Sequence, residues 1–167
     1  KIMLVGDLKR GRTVRSLSYL MKNYKDVELY FAAPEVYQMD DDILEFCDEN
    51  NIKYKKVSSI EEGVKEVDAI YMTRIQDEWD GLGAGAGHVK ASDAFTFKTE
   101  FLDEMKPHCC LMHPLPKRDE IEEEVDYIDD KRIVYWRQER NGMWMRVALI
   151  AKLFGVDADI VSEAAKM

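Results

Sequence analysis

KIMLVGDLKRGRTVRSLSYLM, residues 1–21, decides how the rest of the chain reads. IMLV (2–5) is a continuous apolar run too short for a helix, and from Thr13 the apolar spacing in TVRSLSYLMKNY changes to three and four residues. A buried strand therefore turns into a helix across GDLKRGR. The unit recurs along the chain. VELYFA (27–32), IKYKKV (52–57), DAIYMT (68–73), CCLMH (109–113) and RIVYW (132–136) read as further strands. DDDILEFCDENN (40–51) and SIEEGVKEV (59–67) read as helices, the first burying Ile43, Leu44, Phe46 and Cys47. Residues 142–165 read as helical with a break near Gly155. Strand–helix–strand repetition predicts an α/β domain, a doubly wound parallel sheet with helices on both faces.

In such sheets ligands bind outside the carboxyl ends of the strands, where strand order reverses. The candidates are then the segments after the strands: Gly6 to Arg12, Ala33-Pro34, Arg74 to Trp79 and His113 to Arg118. The first gathers Lys9, Arg10 and Arg12, with Arg15 one turn on, in a chain of net charge −9. That overall charge disfavours nonspecific binding to nucleic acid or an anionic membrane surface, so any anion site must be local. A solvated helix start is the other reading of this charge.

At 167 residues the chain is one domain with room for a core, and no apolar run approaches the length of a bilayer span. It begins abruptly inside a core strand, which reads as a chain cut from something longer. An odd set of cysteines, Cys47, Cys109 and Cys110, predicts reduced thiols and a cytoplasmic setting. Cys109 and Cys110 fall in a strand and read as core. The sequence has no Cys-x-x-Cys pair, and no metal site is expected. DGLGAGAGHVKASD (80–93) reads as a mobile lid, because it lacks both the flanking elements and the form of a phosphate loop.

MHPLPKRDEI (112–121) carries the most specific chemistry. Two prolines around Leu115 fix φ on either side and remove two N–H donors, predicting an extended backbone whose Pro114 and Leu115 carbonyls are rigid acceptors. A plain strand-terminating turn is the competing reading. His113 reads equally as a structural hydrogen-bonder or a reacting group.

GDLKRGRTVRSL, YMTRIQ, MHPLPKRDEI and RQERNGMWMRVALI, in this order, strongly resemble the aspartate-binding, C-terminal domain of the aspartate transcarbamoylase family over essentially the whole chain. The resemblance implies the transcarbamoylase aspartate/ornithine-binding fold across residues 1–167. It implies transfer of the carbamoyl group of carbamoyl phosphate to L-aspartate, an early step of pyrimidine synthesis that uses no cofactor. Related ornithine enzymes typically carry cysteine at the position of Pro114, which favours aspartate. A transcarbamoylase for ornithine or another amino acid, and a noncatalytic assembly module of the same fold, remain as alternatives.

Carried over residue by residue, the resemblance makes Arg12, Arg74, Gln76, Pro114 and Leu115 substrate-binding. Arg12 meets a carboxylate, Arg74 and Gln76 hold aspartate, and the Leu115 carbonyl meets its amine. Glu78 orients Arg74, while His113 and Lys117 support. The physical chemistry agrees, since planar guanidinium forks at two strand ends suit a dicarboxylate. The resemblance further implies a homotrimer, with a possible regulatory subunit, whose site lies between two domains and is shared with a neighbouring subunit. The N-terminal domain, with its Ser-Thr-Arg-Thr-Arg loop, is missing from this sequence, so the 167-residue chain is expected not to turn over. Three residues depart from the pattern: Arg10 for a common tyrosine, Trp79 for a common arginine and Lys117 for another.

Overall fold

A computed structural model describes residues 1–76 and 93–166. Five strands, β1 (Ile2–Val5), β2 (Glu28–Ala32), β3 (Lys53–Val57), β4 (Ala69–Met72) and β5 (Cys110–Met112), form one sheet in the order β3-β2-β1-β4-β5. Every pairing is parallel. Alternation along β1 divides the core: Met3 and Val5 face one layer and Leu4 the other. Helices α1 (Arg12–Leu20) and α2 (Asp41–Glu49) cover Leu4, Leu29 and Phe31 with Val14, Ile43 and Cys47. The opposite face is closed by Ile60, Val64 and Val67, and by Phe97, Phe101 and Leu102 around the short helix α3 (Phe101–Glu104). The sheet is thus buried on both faces along its apolar strands, while the lysine-rich edge strand β3 is largely open, only Val57 being buried.

Three expectations change. SIEEGVKEV is a pair of turns rather than a helix: Gly63 and Val64 donate to the Ile60 carbonyl at 3.1 and 3.0 Å, and Glu66 and Val67 to that of Gly63 at 2.9 and 3.2 Å. Gly63 is the reason, because a Cβ there would come within 2.6 Å of Met3 Cε and 2.8 Å of Tyr30. The segment lies directly on the sheet, and glycine costs about 1 kcal/mol in a helix interior.

RIVYW is not a sixth strand. Ile133 makes one parallel bridge to Leu111, and the chain enters helix α4 (Tyr135–Leu153) two residues later. The His113 N–H, which would extend the ladder, goes instead to Gln138 Oε1 at 3.0 Å. That bond and the Tyr135 hydroxyl on Asp126 (2.5 Å) anchor the helix about two turns before Gly142, the start expected from the sequence.

The break at Gly155 is present, with φ +70° between α4 and α5 (Asp157–Ala164). Along α4 only Tyr135 and Ala151 are buried, while Trp144, Leu149, Ile150 and Leu153 are exposed. Each such side chain left in water forgoes about 1.5–3 kcal/mol of transfer free energy. This chain alone leaves that face uncovered.

The glycine-rich stretch expected to form a lid lies, at residues 80–92, outside the described residues. No helix is long and apolar enough to cross a membrane among the described residues.

Candidate functional site

Strand order reverses between β1 and β4, which are paired neighbours although their connections run to opposite sides of the sheet. A cleft of about 280 Å³ opens at their carboxyl ends. Three segments line it: Gly11, Arg12 and Thr13 after β1; Thr73, Arg74 and Gln76 after β4; and His113 to Pro116 after β5. Six residues singled out from the sequence, Arg12, Arg74, Gln76, His113, Pro114 and Leu115, are therefore brought together. Lys117 is not among them, and its ammonium sits 2.7 Å from Asp126, tying down the loop after β5. Glu78 and Trp79 lie outside the described residues. Ala33-Pro34 leads into a turn whose Tyr37 carbonyl accepts the N–H groups of Leu8 (2.9 Å) and Lys9 (3.0 Å), so it supports the β1–α1 loop from outside the cleft.

The structure sorts the four cations after β1. Lys9 pairs with Asp40 at 3.5 Å, Arg15 with Asp42, and Arg10 with Asp7 at 2.9 Å while stacking on the Tyr37 ring. Arg12 makes no ion pair among the described residues and faces the cleft from the first turn of α1. That turn has no acidic residue and no side-chain cap, so the positive end of the helix and an arginine face the same space. An anion in that space would meet both. Coulomb attraction at 4 Å and an effective dielectric near 20 is about 4 kcal/mol per charge pair, enough for a local site against an acidic surface.

Asp7 was missed by sequence reasoning. It is fully buried, and its carboxylate accepts from the Arg10 N–H (3.0 Å), Arg10 Nε (2.9 Å) and the Gln76 N–H (3.1 Å). One side chain thus joins the loops after β1 and β4 and fixes the backbone of Gln76. Burying a carboxylate is costly unless it is paired and bonded, and here it is both. The signal in the sequence was an aspartate directly after a strand with an arginine three residues on.

The third wall is also built from buried polar groups. Leu115 has φ 55°, so the extended backbone expected between the prolines does not hold at this residue. Its N–H donates to His113 Nδ1 at 2.8 Å, closing the chain back on itself, and this contact offsets the roughly 1–3 kcal/mol cost of left-handed backbone at a non-glycine residue. His113 Nε2 lies 2.6 Å from Glu120 Oε1. His113 is therefore a structural hydrogen-bonder here, with both ring nitrogens engaged.

Tyr71, buried beneath the cleft, has Thr13 and Gln138 as hydrogen-bonding partners; burial raises its phenol above the usual range and those bonds partly offset the rise. Burial also pushes the Cys47 and Cys109 thiols up to about 11, so both stay protonated at neutral pH and serve as core. No group of His, Cys, Asp and Glu side chains fit to hold a metal ion occurs among the described residues.

Residues 1–153 match the family described as aspartate/ornithine carbamoyltransferase, Asp/Orn binding domain. The chain is 42% identical over 153 residues to aspartate carbamoyltransferase 1, chloroplastic, of Pisum sativum, covering 92% of this chain and 39% of that one. It is 38% identical over 156 residues to the aspartate carbamoyltransferase catalytic subunit of Clostridium novyi, covering 93% and 50%. The catalytic subunit of M. jannaschii aspartate transcarbamoylase superimposes with a TM-score of 0.77 at 32% identity, over 92% of this chain and 48% of that one. Aspartate transcarbamoylase from Trypanosoma cruzi in complex with carbamoyl phosphate and aspartate gives 0.74 at 31% identity, over 89% and 46%. The chain spans half or less of the length of these relatives.

Proposed function

Because the chain belongs to the aspartate/ornithine carbamoyltransferase family, through its Asp/Orn binding domain, we propose that it is the aspartate-binding part of an aspartate carbamoyltransferase. One observation carries the reading: Arg12, Arg74 and the Leu115 main chain, 103 residues apart at the extremes of the set, share a single cleft. Guanidinium groups on two walls suit the two carboxylates of aspartate, the Gln76 amide adds a polar contact, and the carbonyl at Leu115 receives the amine. The neutral amine attacks the carbamoyl carbon of carbamoyl phosphate, a C–N bond forms, the C–O bond to phosphate breaks, and the amine gives up a proton. Holding both reactants in attack geometry supplies much of the rate, and no nucleophilic side chain is needed.

The proposal includes an N-terminal domain that holds carbamoyl phosphate, and a homotrimer in which a neighbouring subunit completes the site. The uncovered apolar face of α4 is what supports a packing partner of this kind. A reducing, cytoplasmic setting belongs to the same reading and is supported by the three free cysteines.

Product formation by the full-length chain, supplied with carbamoyl phosphate and a panel of amino acids, tests the proposal. Aspartate is expected to exceed ornithine by about 100-fold or more in kcat/KM, because a site that pairs a carboxylate rejects an amine in its place. The 167-residue chain alone is expected to give no product. Preference for a basic amino acid would contradict the assignment.

A further inference from the structure

The loop after β5 contains a buried acid that substrate contact does not explain. Glu120 is 3% exposed and His113 is 1% exposed, and they meet at 2.6 Å. The carboxylate also accepts the Arg118 N–H through both oxygens, at 3.1 and 3.2 Å. On the far side of the imidazole, Nδ1 accepts the Leu115 N–H at 2.8 Å. A third bond, from the His113 N–H to Gln138, fixes the start of the loop against α4.

These contacts allow one arrangement of protons. Leu115 presents a donor to Nδ1, so a proton there would set donor against donor. Glu120 presents an acceptor to Nε2, so the proton belongs on that nitrogen. With the carboxylate removed, the Leu115 N–H is the one group among the described residues left favouring this tautomer, and the alternative would push that N–H out of its left-handed position. We propose that Glu120 is a positioning residue for the transfer reaction, holding His113 as the Nε2–H tautomer so that the bare Nδ1 sets the Leu115 main chain that receives the amine. The inference rests on the aspartate carbamoyltransferase reading above. It also removes His113 as a base: its acceptor nitrogen is occupied, so the proton lost by the amine goes elsewhere.

The test uses the full-length enzyme and two readouts. In kinetics, Glu120→Ala is expected to lower kcat/KM for aspartate by about 100-fold, the scale of a misplaced reacting group, with KM for carbamoyl phosphate within about twofold of wild type. Glu120→Gln keeps an acceptor oxygen for both donors and is expected to recover to within about fivefold of wild type. Nitrogen-15 spectra of the wild-type histidines, with His113 assigned by its absence in His113→Asn, are expected to show a protonated Nε2 and a bare Nδ1. Near-normal aspartate kinetics in Glu120→Ala would overturn the proposal, and so would equal losses toward both substrates, the mark of a merely structural role. A proton on Nδ1 would overturn it whatever the kinetics show. Failure of the wild type to carbamoylate aspartate would instead overturn the functional reading, and ring spectra of the wild type beside Glu120→Ala would still decide whether Glu120 sets the tautomer.

Discussion

Replacement of Arg74 by alanine in the full-length chain is expected to lower kcat/KM for aspartate by about a thousandfold. Arg74 and Arg12 come from different strand ends and line one cleft, so each supplies a guanidinium that the other cannot replace. Truncating one partner of a desolvated, hydrogen-bonded charge pair costs about 2–5 kcal/mol, or roughly 30- to 4,000-fold. The upper part of that range is expected because the lost contact also sets the angle at which the amine meets the carbamoyl carbon. Both kcat and KM should therefore change. Arg74→Lys should recover little, since an ammonium is a point charge and cannot make the planar, two-point contact. Steady-state kinetics with aspartate as the varied substrate measures this. Near-normal rates would contradict the placing of an aspartate carboxylate on Arg74.

The second large effect is on the sheet itself. Gly6 ends β1 with φ +113°, and a Cβ built there would lie 2.0 Å from the Thr73 carbonyl oxygen and 2.8 Å from Thr73 Oγ1. Thr73 is also held by its own bonds, its N–H and hydroxyl donating to the Val5 carbonyl at 2.8 and 2.9 Å. Neither side of the contact has room to yield, because both atoms are backbone or fixed to it. Gly6→Ala is expected to destabilise the 167-residue chain by about 3–5 kcal/mol, combining the backbone penalty with separation of β1 from β4. For a chain of this size that is a fall in melting temperature of about 6–20 °C, measurable by calorimetry. A melting temperature within about 2 °C of wild type would contradict the close approach. The two strands it would separate are those that bound the cleft, so surviving protein should also bind aspartate poorly.

Much of the architecture was legible because it depends on local pattern. Four of the five true strands are apolar runs bounded by turn residues, and the repetition of the strand-to-helix switch first seen at residues 1–21 pointed to the parallel topology. The site was legible for a related reason: in a parallel sheet the residues after each strand converge whatever their distance in sequence, and Arg12, Arg74 and Leu115 all occupy such positions. What was not legible depends on partners far along the chain. RIVYW has strand composition, but the N–H it needed had been claimed by Gln138. SIEEGVKEV has helical spacing, but Gly63 lets it settle on Met3 and Tyr30 instead. Asp7 and Glu120 look like surface acids in a sequence with 33 of them, and only the fold reveals that both are buried against main-chain donors. Leu115 escaped for a local reason. Two flanking prolines argue for extended backbone, and the histidine two residues earlier overrides them.

Crystallography of the full-length enzyme with L-aspartate bound tests the central claim most directly. One carboxylate of aspartate is expected on the Arg12 guanidinium and the other on that of Arg74, each within about 3 Å, with the amine directed at the Leu115 carbonyl. Aspartate bound with either carboxylate away from both arginines, or outside the cleft between β1 and β4, would contradict it.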